Sequence, residues 1–323
     1  MPTLNPEEPN NTLMGFVDLF VRRKTEGSAP LHPEQDSVGE QHGAAAAEIP
    51  AMSRPRQFQG WLKVRERVGL RLRILLGAVP VLLILAVWNW LTWGTAESRV
   101  ISPLILPSPL EVVNSFHSLW FNAELSRSIV ASFSRVLVGF AIGLAAAFPL
   151  SLLMGSFSKA RVAFEPTTLF LSYLPIPALV PLTMSLFGIG ETQKAMFLAL
   201  AFFIYLLPLF VKAVEEVDNV YLQTAYTMGA GRWKLITKVL LPVSLPQIIH
   251  AMRLGFGVGW TYIILAEMVA ADRGLGQIII IAQRRGPREH IYLVLVVIVL
   301  IAYLTDKLWE QLHKSLFPYL RAR

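Results

Sequence analysis

Six stretches of this chain are dominated by apolar residues, and polar residues collect between them. They cover about residues 74–93, 136–154, 166–187, 195–211, 248–270 and 291–304. Each is near the length at which a helix crosses a bilayer. None alternates with a period of two, so the runs read as helices and not as strands of a closed barrel. An amphipathic stretch from Leu125 leads into the second run. The third is punctuated by Pro166, Pro175, Pro177 and Pro181. Each proline removes a helix donor and frees a carbonyl, which fits either a broken helix lining a path or a kink that aids packing.

The first 60 residues have a different texture. They are rich in Pro, Glu, Gly, Ala and Ser and read as largely disordered. One patch, near 12–23, stands out. Leu13, Phe16, Val17 and Phe20 fall on one helical face and are followed by Arg22, Arg23 and Lys24. A short amphipathic helix suited to a membrane surface or a partner groove has this pattern, and so does a chance apolar cluster in a floppy tail. The expected division is an N-terminal extension at 1–60, a membrane domain at 61–305 and a basic tail at 306–323.

Composition agrees with the pattern. Of 323 residues, 54% are hydrophobic and only 16% charged, with a mean hydropathy of +0.51. Soluble domains are about a quarter charged. The expected class is therefore an all-α integral membrane protein with about six transmembrane helices. There are no cysteines, which excludes disulfides, thiolate metal sites and cysteine nucleophiles. The net charge of +7 reflects loop residues more than any affinity for nucleic acid. Arg54, Arg56, Lys63, Arg65, Arg67, Arg71 and Arg73 crowd the entrance to the first span. Lys159 and Arg161 follow the second, and Lys212, Arg232, Lys234 and Lys238 follow the fourth. All lie on one side if both termini are cytoplasmic. Trp88, Trp90 and Trp93 then form an outer aromatic belt. Arg284, Arg285 and Arg288 fall outside. They suit contact with acidic side chains of a soluble partner, local enrichment of an anionic solute, or a plain solvated loop.

Soluble catalytic motifs are missing. No Gly-Lys pair exists for a phosphate loop, no HExxH is present, and the six histidines lack metal-ligand spacing. Gly139/Gly143 and Gly255/Gly259 fit GxxxG, whose default meaning in a membrane is close helix packing. Glu267 lies in the outer part of the fifth span, where an idle carboxylate is costly. Arg135 enters the second span from the same side and is its expected partner. An ion pair pinning two helices and a contact with solute both fit. Trp260 and Tyr262 read as core or as path. An ion-coupled transporter or a membrane-embedded enzyme would need more intramembrane polar groups than this lone carboxylate.

The segment QTAYTMGAGRWKLITKVLLP, residues 223–242, is polar yet sits between spans four and five. Tyr221, Leu222, Ala225 and Met228 make one apolar stripe. Gly229 and Gly231 can take positive φ and end a helix. Trp233, Ile236 and Val239 or Leu240 rebuild a stripe, and Pro242 is expected to block continuation into span five. Two short amphipathic helices at an angle suit a groove on another protein or an interfacial position on lipid.

This segment resembles the signature of permease subunits of binding-protein-dependent ABC importers: EAA, three residues, Gly, nine residues, Ile-x-Leu-Pro. Ala225, Gly229 and Leu240-Leu241-Pro242 match it, while Gln223 and Thr224 replace the usual Glu and first Ala. LPSPLEVV at 106–113, SRVLVGF at 134–140, PIPALVPL at 175–182, FGIG at 187–190, LAEMVAA at 265–271 and GLG at 274–276 resemble the branch serving taurine, aliphatic sulfonates, nitrate and bicarbonate. The resemblance, over roughly 74–318, implies a type I importer permease in the inner membrane. Its cytoplasmic coupling hairpin would use Gln223, Ala225, Gly229, Ala230, Trp233, Leu241 and Pro242. It further implies a second permease copy, two ATPase subunits that carry ATP and Mg, and an extracytoplasmic solute-binding protein. No cofactor or metal is expected on this chain. Residues facing the path would include Arg135, Pro175, Pro177, Trp260 and Glu267, and Arg284, Arg285 and Arg288 would meet the binding protein.

Overall fold

A computed structural model describes residues 69–95 and 97–322. The amphipathic patch near 12–23, the rest of the N-terminal extension and the basic cluster up to Arg67 lie outside the described residues. Every described regular element is helical. Helix α1 is Leu70–Leu91, α2 Pro109–Asn114, α3 Phe116–Phe121 and α4 Leu125–Ser156. Next come α5 Ser158–Ser172, a 3-10 turn at Ile176–Ala178, α6 Leu179–Phe187 and α7 Glu191–Glu215. Helix α8 is Asn219–Thr227 and α9 Arg232–Leu235. A π-turn at Ile236–Leu240 runs into α10, Leu241–Ala270. The chain ends with α11 Leu275–Arg285, α12 Arg288–Leu316 and a 3-10 turn at Pro318–Ala322. Among the described residues five helices are long and apolar enough to cross a bilayer, and six spans result if the bent pair α5/α6 counts as one.

The core centres on α7, which is buried on several sides by α4 and α10. Both GxxxG pairs serve this packing. A Cβ on Gly139 would lie 2.4 Å from Leu198 Cβ, and one on Gly143 2.7 Å from the Ala199 carbonyl. From the other side, Cβ atoms on Gly255 and Gly259 would strike Leu206 and Phe202. Phe202 thus sits between the two glycine faces. Phe140 meets its ring edge-on at 5.2 Å, and Phe256 and Trp309 extend this aromatic cluster to α10 and α12. Helix α1 contributes no buried residue. Its C-terminal end is tied to the body where Trp88 Nε1 donates to the Pro107 carbonyl at 2.9 Å.

Several boundaries differ from the sequence expectation. The third span begins at Ser158, passes Pro166 without a break, and bends by 84° at the Pro175–Pro177 segment. Pro166 is tolerated inside α5, whereas two prolines with one residue between them leave no room for helical pairing. The second hairpin helix is not separate from the fifth span. Arg232–Val269 forms one 38-residue helix. Pro242 was expected to stop it, but the wider π-turn just before Pro242 accommodates the missing donor and the ring. The last span continues past Leu304 to Leu316, held by Arg253 Nε to Asp306 at 2.6 Å. Helix α11 was not anticipated: its apolar run is too short to span, and it packs one face, Leu275, Ile278, Ile279 and Ala282, on the bundle.

Candidate functional site

Three places carry most of the residues singled out by sequence. The first is the hairpin. Asp218 caps α8 by accepting from the Val220 N–H at 3.0 Å. Helix α8 ends in a Schellman motif: the Ala230 N–H reaches the Ala225 carbonyl and the Gly229 N–H the Tyr226 carbonyl, both at 2.9 Å. Gly229 takes φ 77°, the left-handed value this cap needs. Gly231 does not. It has φ −73° and stands at the N-cap of α9. The expected apolar stripes are split. Ala225, Leu235, Ile236 and Leu240 are buried against the chain itself. Met228 and Trp233, at 82% and 78% exposure, project outward with Gln223, Arg232 and Lys234. Ala230 and Leu241 are half-buried and Pro242 is exposed.

The second place is the break in the third span. Pro175 and Pro177 are exposed there. They line a groove of about 560 Å³ with Ser172, Tyr173, Tyr205, Pro208 and Tyr262. No Asp, Glu, His, Lys or Arg lines it. Trp260 lies elsewhere. It is buried, with its ring 6.0 Å from Phe133, and its Nε1 has no partner among the described residues.

The third place is a polar cluster where α4, α7, α10 and α11 meet, buried except at Glu191, which is exposed at the start of α7. Arg135 Nη1 donates to Glu267 Oε1 at 2.7 Å and to the Arg273 carbonyl at 2.6 Å. Its Nε and Nη2 form a fork with Glu191 at 2.5 and 2.7 Å. Lys194 Nζ, on a side chain 2% exposed, approaches Glu191 Oε1 at 3.4 Å. Ser132 Oγ accepts from the Leu275 N–H at 3.0 Å and donates to the Glu267 carboxylate at 2.8 Å. The Gly276 N–H donates to Glu267 Oε2 at 2.9 Å. Two cations and two carboxylates make the cluster formally neutral, the condition under which charge is tolerated at membrane depth. Sequence reasoning paired Arg135 with Glu267 but missed Ser132, Glu191 and Lys194. The available signals were Ser132 one turn before Arg135 and Glu191/Lys194 three apart at the mouth of α7.

The arginines expected to face outside are distributed between two helices. Arg284 and Arg285 are exposed at the end of α11, where they oppose the negative end of its dipole. Gly286, at φ 106°, turns the chain. Arg288 opens α12 and is half-buried. Arg285 also borders a cavity of about 370 Å³ shared with Asp272, Arg273, Gln277, Ile281 and His290. Among the described residues no cluster of metal-ligating side chains occurs.

Residues 139–314, more than half of the chain, match the family described as binding-protein-dependent transport system inner membrane component. The chain belongs to this family. The permease is 31% identical over 265 residues to the taurine transport system permease protein TauC of Escherichia coli, covering 80% of this chain and 94% of that one. It is 27% identical over 258 residues to the putative aliphatic sulfonates transport permease protein SsuC of Bacillus subtilis, covering 79% and 90%. The fold is shared with an inward-facing MetNI methionine ABC transporter chain at a TM-score of 0.56 and 20% identity, covering 62% of this chain and 98% of that one. A bacterial alginate ABC transporter chain gives 0.52 at 15% identity, covering 76% and 98%. The permease is thus a transport subunit and not an enzyme.

Proposed function

We propose that this permease, paired with a second copy, forms the inner-membrane path for a small sulfonate-bearing solute, an aliphatic sulfonate or taurine. An extracytoplasmic solute-binding protein delivers the solute, and two ATPase subunits drive its passage. ATP and Mg belong to the ATPase, which seats the 219–240 hairpin in a cleft. Both termini are cytoplasmic, in keeping with Lys159, Arg161, Lys212 and Lys238 on the hairpin side. The names of the relatives support the solute class, and Arg284 and Arg285 would raise anion concentration at the outer mouth. The groove at Pro175 and Pro177 is the part of the path this chain supplies.

The observation that carries the reading is the hairpin. A capped turn leaves Met228 and Trp233 exposed, and the helix that follows it, α9, runs on continuously into α10. Force applied at the tip therefore reaches the bilayer without a flexible joint. The test is Gly229→Pro, which cannot adopt φ 77° and lacks the N–H that caps Tyr226. ATP-driven uptake of labelled taurine in proteoliposomes holding the permease, its ATPase and binding protein should fall at least tenfold. Full uptake by the variant would contradict the coupling role.

A further inference from the structure

Helix α10 has two ends with different duties. Its first end continues the hairpin. Its last end carries Glu267, which is 0% exposed and holds the start of α11. The join is unusually tight. A Cβ on Gly274 would lie 2.4 Å from Glu267 Cδ, and one on Gly276 2.6 Å from the Ile264 carbonyl. The first turn of α11 therefore rests directly on α10. Three polar links close the join. The Gly276 N–H donates to the carboxylate, Ser132 bridges the Leu275 N–H to the same carboxylate, and Arg135 binds both Glu267 and the Arg273 carbonyl. The carboxylate also faces the positive end of the α11 dipole.

We propose that Glu267 is a positioning residue that makes α11 move with α10. Motion of the hairpin would then appear at the opposite end of the molecule, at the surface bearing Arg284 and Arg285. The idea rests on the coupling role of the hairpin given above. The geometry argues against Glu267 as a solute ligand in this state, because both its oxygens are bonded and no surface reaches them. It also argues for more than a static pin. A pin between α4 and α10 would need Arg135 alone, whereas here Glu267 also accepts from the Gly276 N–H, and Ser132, which donates to the same carboxylate, accepts from the Leu275 N–H. The Gly276 bond ties α11 to α10 directly, and the Leu275 bond ties it to α10 through Ser132 of α4.

The chain has no cysteine, so single labels can be placed without background. Thr227→Cys on the hairpin and Gln283→Cys on α11 are both exposed and outside the cluster. Each carries an environment-sensitive fluorophore in the complete permease–ATPase complex in nanodiscs, with binding protein added. In the parent protein, ATP should change the emission of both labels. In Glu267→Gln the Thr227 label should respond as before, while the response at Gln283 falls roughly tenfold. Stimulation of ATP hydrolysis by the binding protein should fall with it, and basal hydrolysis should persist. Should Glu267→Gln fail to assemble, Ser132→Ala, which removes only the bridging hydroxyl, takes its place with the same expectation. An unchanged Gln283 response in the variant, or no response there in the parent, overturns the proposal. Loss of the Thr227 response in the parent would instead overturn the hairpin reading.

Discussion

Glu111 and Glu267 are both carboxylates engaged by an arginine and by backbone N–H groups, yet their surroundings set different tests. Glu111 lies outside the spans, in a capping box with Ser108 at the start of α2, and forks with Arg99 at 2.7 and 3.1 Å. The Arg99 guanidinium, and then the Ser108 N–H, hold its pKa down from 4.5 to about 2. Since the folded value lies below the unfolded one, its contribution is complete above about pH 4.5 and fades as pH falls toward 2. Pepsin cleavage of the 92–108 connection should therefore stay low at pH 4.5 and rise as pH drops to 2. Glu111→Gln should be cleaved readily at both. Rapid cleavage of the parent at pH 4.5 would deny the cap its role. This fork was absent from the sequence reading, because Arg99 sits in an irregular segment whose path to the start of α2 no periodicity predicts. Arg135 and Glu267 were paired because both interrupt apolar runs on the same side. Ser132, Glu191 and Lys194 were not, because their convergence depends on how four helices are rotated about their axes.

At the level of elements, the glycine faces decide how closely α4 and α10 approach α7. Gly143 has no room: a Cβ there meets backbone oxygen and Phe202 Cβ, both at 2.7 Å. Gly257, one residue off the packed face, has nothing within 4 Å. Gly143→Ala should destabilise the detergent-solubilised protein by about 1–3 kcal/mol. Gly257→Ala should be neutral or stabilise by about 0.5–1 kcal/mol, as for any Gly removed from a helix. Thermal unfolding of the two variants separates packing from propensity, and equal effects would refute the close approach. The GxxxG spacing made this interface legible. The continuity of α9 with α10 was not, since Pro242 read as a stop and the π-turn at 236–240 leaves no mark in residue type. The bend at Pro175–Pro177 was legible as an irregularity, although its 84° angle was not.

Taken together, the described residues form a helical bundle with a polar cluster at one end of α10 and an exposed hairpin tip beyond the other. Its class followed from hydropathy because backbone satisfaction in lipid leaves few alternatives. Its partners are another matter: Met228 and Trp233 are exposed at the tip, and that exposure does not name what the proposed contact would be with. The central claim is that this bundle holds no motor and borrows one through the hairpin. The most direct measurement is native mass spectrometry of the tagged chain purified from its own membranes in mild detergent, beside a solute uptake assay on the same sample. The account predicts two copies of the 36.0 kDa chain with two copies of an ATPase, and uptake only when that assembly, its binding protein and ATP are present. A lone chain that moves taurine with no second polypeptide attached would contradict it.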